Sequence, residues 1–140
     1  MSISGIPNCS LIKLKSFKET HRGCLSFADA QADIPFMIKR VFWIYDVPDN
    51  ASRGGHANWK CTEAIFPLSG SFDIYVDDGE YFKTYHLDKA NEGIVIPAGV
   101  WCLLTNFEKG TVCFVASDEE YSPDYYVDDY EEYLKNLQCK

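Results

Sequence analysis

Short apolar runs recur along the chain at close spacing with turn residues between them, and that rhythm predicts an all-β sandwich or barrel. The stretches "LIKLKSF" (11–17) and "GCLSFAD" (23–29) alternate apolar with polar positions, as a strand buried on one face requires. "FMIKRVFWIYDV" (36–47) is longer and rich in β-branched and aromatic residues. After the turn "PDNASRGG" come "TEAIFPLSG", "SFDIYVDDG", "EYFKTYHLD", "GIVIPAG", "WCLLTNF" and "TVCFVASD", for about nine strands in all. Asp-Gly in "DDG" at 77–79 is a hairpin signal, while Gly70 and Gly110 supply residues that take positive φ at corners. Only the end changes period. In "SPDYYVDDYEEYLKNL", Tyr126, Tyr130, Tyr133, Leu134 and Leu137 recur at helical spacing, and Ser122 before Pro123 suits a cap. Acidic residues early in this stretch and Lys135 late in it complement the helix dipole. A short C-terminal helix is therefore expected over about 123–137, after a β core of about 10–120, in a single domain spanning 1–140.

A chain of 140 residues that is 46% hydrophobic and 15% aromatic can bury its own core. Its formal charge of −8 and pI near 4.7 repel polyphosphate, and no basic patch exceeds Lys39-Arg40, so nucleic acid is not expected as a partner. No apolar run reaches the length of a membrane span, and the start "MSISGIPNCSLIKLK" lacks the apolar centre of a signal peptide. The expected location is the cytoplasm, with no membrane partner. The six cysteines (Cys9, Cys24, Cys61, Cys102, Cys113 and Cys139) show no CxxC spacing and read as free thiols.

Many short strands turning at Gly-containing corners suggest a double-stranded β-helix, the jelly roll of the cupins. Two spacings resemble the motifs of that superfamily. His56-Ala57-Asn58, then Glu63, then Gly70 follow the order His-x-His, Glu, Gly of the first motif, with Asn58 in place of its second histidine. Pro97-Ala98-Gly99, then Cys102, then Asn106 follow Pro-x-Gly, His, Asn of the second, with Cys102 in place of histidine. Alternation along a strand puts His56 and Asn58 on one wall of the barrel. With Asn58 and Cys102 where metal-binding cupins carry histidine, neither a metal nor another cofactor is expected. A metal-dependent cupin stays open as an alternative.

Over residues 10 to about 137 the chain also resembles the sugar 3,4-ketoisomerase family within the cupins. The matching stretches are "RGCLSFADAQADIPFMIKRVFWIYDV", "SRGGHAN", "LSGSFDIYVDDG", "GIVIPAGVWCLLTNF" and "VASDEEYSPDYYVDDYEEYL". The resemblance implies a metal-independent enzyme that moves the ketone of a nucleotide-linked, usually dTDP-linked, 4-keto-6-deoxyhexose from carbon 4 to carbon 3 through an enediol. It further implies a supply of precursors for surface polysaccharide and a homodimer with exchanged N-terminal strands.

Such chemistry needs a group that takes and returns protons near neutral pH, and histidine suits it because its ordinary pKa is about 6.5. His56 stands at the first position of the family's catalytic His-x-His, and Asn58 stands at the second. An amide does not exchange protons in that range, although it can donate a hydrogen bond to an enolate oxygen. Tyr45 is a further candidate proton carrier. Candidate substrate-binding residues are Arg53, Arg40, Gly55, Trp43, Glu63 and Trp101. Among these, Arg53 is placed to meet the diphosphate, Trp43 and Tyr45 share the parity of one strand face, and Glu63 could hold the imidazole in one tautomer. A non-catalytic or weakly active nucleotide-sugar-binding cupin remains the alternative that Asn58 raises.

Overall fold

The computed structural model describes residues 9–139; residues 1–8 and 140, and with them the first part of the stretch "MSISGIPNCSLIKLK", lie outside the described residues. Alternating strands with one apolar face are buried by stacking two sheets, and this chain does so. Its strands are β1 (Ser10–Lys13), β2 (Ser16–Glu19), β3 (Gly23–Ser26), β4 (Arg40–Tyr45), β5 (Arg53–Asn58) and β6 (Glu63–Ser69). They continue as β7 (Phe72–Asp77), β8 (Phe82–Leu87), β9 (Glu92–Ile96), β10 (Trp101–Thr105), β11 (Val112–Ser117) and β12 (Tyr126–Val127), followed by helix α1 (Tyr130–Gln138). One sheet runs β1-β9-β6-β11-β4, the other β12-β5-β10-β7-β8, and every pairing is antiparallel. This is the double-stranded β-helix that the strand rhythm predicts. Between the sheets lies a core that includes Ile65, Phe72, Ile74, Ile94, Leu104, Cys113 and Val115.

Three expectations about element boundaries are corrected. "LIKLKSF" is two strands, because the Leu14 N–H donates to the Asn91 carbonyl (2.7 Å) and the Asn91 amide donates to the Leu14 carbonyl (2.9 Å), which ends β1. The chain then leaves the sheet to form the β2–β3 hairpin. "FMIKRVFWIYDV" is a strand only from Arg40; Phe36 and Ile38 cross the outer face of the first sheet and pack on Ala64, Phe66 and Ala116. The predicted turn "PDNASRGG" gives its last three residues to β5.

The C-terminal helix begins at Tyr130, seven residues after Pro123. Ser122 does act as a cap, but only for a 3-10 turn over Pro123–Tyr125, where its hydroxyl accepts from the Asp124 N–H (3.3 Å). The next two residues pair instead with β5, Tyr126 opposite Asn58 and Val127 opposite Ala57, giving that strand the backbone partners its outer edge lacks. Asp129 then caps α1 by accepting from the Glu132 N–H (3.0 Å). The helix packs on the outer face of the second sheet through fully buried Tyr133, whose hydroxyl donates to the Gly99 carbonyl (2.7 Å). Asp77 secures it further by accepting from the hydroxyls of Tyr75 (2.7 Å) and Tyr130 (2.8 Å).

Where β5 ends, Asn58 closes the next turn. Its carboxamide oxygen accepts from the N–H groups of Lys60 (2.9 Å) and Cys61 (2.8 Å), in the pattern of an Asx turn, with the residue only 6% exposed. Replacing it with alanine orphans both N–H groups, one of them buried. Asn58→Ala is therefore expected to lower unfolding free energy by about 1–3 kcal/mol in urea titration, and an unchanged midpoint would contradict this account of the turn.

Candidate active site

Arg53 and His56 are three residues apart, and regular pleating would send their side chains to opposite faces. The register between β5 and β10 prevents this. Cys102 lies opposite His56 and Leu103 opposite Gly54, so one step on β10 spans two on β5 and Gly55 is the extra residue. Gly54 (φ +82°) and Gly55 (φ +74°) take the left-handed backbone that such a bulge uses. A side chain at residue 54 would also stand 3.1 Å from the Cys102 carbonyl. The bulge restores parity, so that Arg53 and His56 lie opposite Leu104 and Cys102, on the inward face.

That face opens into a cavity of about 760 Å³ lined by Arg40, Phe42, Gly54, His56, Glu63, Tyr121, Pro123, Tyr126 and Asp128. A smaller space of about 90 Å³ shares Phe42, Gly54, His56 and Glu63 and adds Arg53, Cys102 and core residues. Arg40 and Glu63 come from the first sheet. Each pairs with Ser117 from opposite sides, and the Arg40 guanidinium stands 3.8 Å from the Glu63 carboxylate. His56 comes from the second sheet and faces them across the opening. Its ring and that of Tyr126 meet edge to face, with centroids 4.9 Å apart, and Arg40 donates to the Tyr126 hydroxyl (3.2 Å). Arg40 also lies over the rings of Phe42 (5.0 Å) and Tyr121 (5.4 Å), while its Nε is buried without a partner.

Burial sets the protonation of this cluster. Desolvation holds His56 below the ordinary 6.5; the Asp128 charge opposes that shift and the Arg53 charge adds to it. The imidazole is thus neutral at pH 7 and able to accept a proton. Desolvation pushes the Glu63 carboxyl up to about 7 against the pull of Arg40, with the Asp118 charge adding to the rise. Burial likewise pushes the Cys102 thiol far up, which keeps it protonated and unreactive. Among the described residues, no three His, Cys, Asp or Glu side chains are grouped as a metal site.

Of the residues singled out from sequence, His56, Arg53, Arg40 and Glu63 meet at this opening. Five do not. Trp43 and Tyr45 do share a face, as their parity requires, but it is the outer one: they are 57% and 60% exposed, while Arg40, Phe42 and Ile44 point inward. Trp101 lies opposite Ala57 on the outer face of the second sheet, beneath Tyr130 and Tyr133. Gly55 is the bulge residue and stands behind Gly54, away from the cavity wall. Asn58 shares the His56 face but lies beyond Trp101, the first residue of β10, with its carboxamide oxygen turned back into the chain. Glu63 is paired with Arg40 and does not orient the imidazole.

The sequence reading missed Phe42, Gly54, Tyr121, Pro123, Tyr126 and Asp128 as cavity residues. The last three belong to the stretch read as helix over about 123–137. Asp129, three residues ahead of Glu132, carries the capping signal that would have moved the helix start and released Tyr126 and Asp128.

Known proteins resemble this chain in sequence and fold over nearly its whole length. The TDP-4-oxo-6-deoxy-alpha-D-glucose-3,4-oxoisomerase of Aneurinibacillus thermoaerophilus is 30% identical over 127 residues, 89% of this chain and 91% of that protein. A histidine-to-asparagine variant of the 3,4-ketoisomerase QdtA from Thermoanaerobacterium thermosaccharolyticum, solved in complex with TDP-4-keto-6-deoxyglucose, superposes with a TM-score of 0.91 at 29% identity, covering 96% of this chain and 97% of that one. The WlaRB TDP-quinovose 3,4-ketoisomerase from Campylobacter jejuni gives 0.88 at 31% identity, covering 94% and 100%. The family model described as "FdtA: WxcM-like, C-terminal" matches residues 7–138, and the chain belongs to that family.

Proposed function

We propose that this protein is a sugar-nucleotide 3,4-ketoisomerase, converting the 4-keto form of a TDP-linked 6-deoxyhexose into the 3-keto form. The observation that carries the reading is a half-buried His56, held below its ordinary pKa, facing a cavity of about 760 Å³ that Arg40 also lines, with Arg53 at the smaller adjoining space. That volume lies within the range of small-molecule sites, roughly 300–1,000 Å³. The 3,4-ketoisomerase names of the relatives support it, as does the QdtA complex with TDP-4-keto-6-deoxyglucose.

His56 removes the proton from carbon 3 as the enediol forms and returns it at carbon 4. Tyr126 packs perpendicular to its ring and limits its rotation. Arg40 at the cavity wall donates to a substrate oxygen, and Arg53 at the opening meets the diphosphate. Hydrogen moves within the sugar with no net oxidation, so the reaction calls for no redox cofactor. The cytoplasm, where thiols stay reduced, suits six free cysteines and a nucleotide-linked substrate.

The same reading includes a homodimer with exchanged N-terminal strands. Strands β2 and β3 pair only with each other among the described residues, and Phe17 and Leu25 on them are exposed. At the edge of the first sheet, β4 presents Val41, Trp43 and Tyr45 to solvent, an apolar face matched to such a hairpin.

Three measurements test these statements. His56→Asn is expected to lose about 10²- to 10⁴-fold in kcat while TDP still raises the melting temperature; NMR in deuterated water would then show little label at carbons 3 and 4, and full turnover would refute the role. In the unaltered protein, kcat/KM falls on the acid side with a midpoint below 6.5, because the base must be neutral; a midpoint above that value contradicts the desolvated imidazole. Sedimentation equilibrium is expected to give twice the chain mass of 16.0 kDa, and a monomer at micromolar concentration would remove the exchanged-strand dimer.

A further inference from the structure

Interconverting a 4-keto and a 3-keto sugar moves two hydrogens, one between carbons 3 and 4 and one between the oxygens they carry. His56 accounts for the first. The second needs another group that gives and takes a proton at the same opening, and Asn58 cannot serve: an amide does not exchange protons in this range, and its oxygen is held by two backbone N–H groups. Tyr45 cannot serve either, since it stands on the outer face of β4.

Opposite His56, at the start of β6, lies Glu63. It lines both spaces that His56 lines, with its side chain only 10% exposed. We infer that Glu63 is the second proton carrier of this site, passing a proton between the oxygens on carbons 4 and 3 while His56 passes one between the carbons. The inference rests on the ketoisomerase reading.

The protons and electrons balance. Neutral His56 takes the proton from carbon 3, the electrons of that bond form the carbon 3–carbon 4 double bond, and the carbonyl π pair on oxygen 4 takes the proton of Glu63. The resulting Glu63 carboxylate accepts the proton of the carbon 3 hydroxyl, whose electrons form the new carbonyl. The double-bond pair at carbon 4 then takes the proton back from His56. Both residues end as they began.

The surroundings suit a carboxyl group that changes charge at each half-reaction. Arg40 on β4, 3.8 Å away, steadies the transient carboxylate without being close enough to hold it permanently ionised. The other groups facing it are Asp118 after β11, Cys113 on β11, Cys102 on β10 and His56 on β5, and burial together with Asp118 brings its pKa to about 7. Asp128, the other carboxyl group at the opening, is solvent-exposed.

Glu63→Gln keeps the shape of the side chain and removes the exchangeable proton. This variant is expected to lose about 10²- to 10⁴-fold in kcat with TDP still raising its melting temperature, and Glu63→Asp to recover part of that loss. The unaltered protein must also show kcat/KM falling as pH rises through about 7, because the carboxyl group must begin protonated, and that fall must vanish in whatever activity Glu63→Gln retains. Full activity in Glu63→Gln overturns the inference. So does a flat alkaline side in the unaltered protein, which needs no variant to be folded. If the unaltered protein forms no 3-keto product at all, the ketoisomerase reading fails first; turnover that ignores position 63 sinks only the assignment of Glu63.

Discussion

The site rests on one extra residue in a β-ladder. Without Gly55 between them and the register of β10, Arg53 and His56 could not face the same side of the second sheet. The bulge needs two consecutive residues at positive φ, which side chains disfavour, and a β-carbon at residue 54 would press against the Cys102 carbonyl. The pair Gly54-Gly55 therefore does more than punctuate a turn: it decides which face receives the imidazole. Bulges beside active sites commonly re-aim a side chain in this way.

Once His56 faces inward, low dielectric sets its chemistry. Desolvation disfavours charge on both imidazole and carboxyl groups, so it moves His56 down and Glu63 up. At neutral pH the opening holds an uncharged base from one sheet and, near its midpoint, a carboxyl group from the other, with Arg40 as the fixed cation beside them. Burying polar groups costs stability unless they find partners, and Arg40 finds Tyr126, Glu63 and two aromatic faces. Its Nε remains unpaired, a cost retained at the point where a substrate would enter.

The walls come from segments far apart in the chain. Tyr126 is held beside His56 because β12 adds two residues to the edge of β5, and β12 is held there because Val127 and Tyr133 bury against Trp101. Helix α1 thus acts on the site indirectly, by fixing the short strand before it. On the opposite sheet, β4 presents Arg40 and Phe42 inward and Trp43 and Tyr45 outward, dividing one aromatic run between an inner wall and an apolar outer surface.

The sequence by itself determined the strand rhythm and the jelly-roll class, and marked His56 and Glu63 as members of one motif, because period-two alternation and motif spacing are local properties of the chain. Tertiary structure alone decided which face each residue reached. Parity correctly pairs Trp43 with Tyr45 and His56 with Asn58, but it cannot say which face is inside, nor that a strand ends before Asn58 can reach the cavity. Tyr126 and Asp128 were hidden for a related reason: a stretch with helical spacing became a strand because the unpaired edge of β5 offered its backbone better partners. Protonation also lay beyond the sequence. Neutral His56 and a carboxyl group near 7 result from packing that removes water from both, and no residue type carries that information alone.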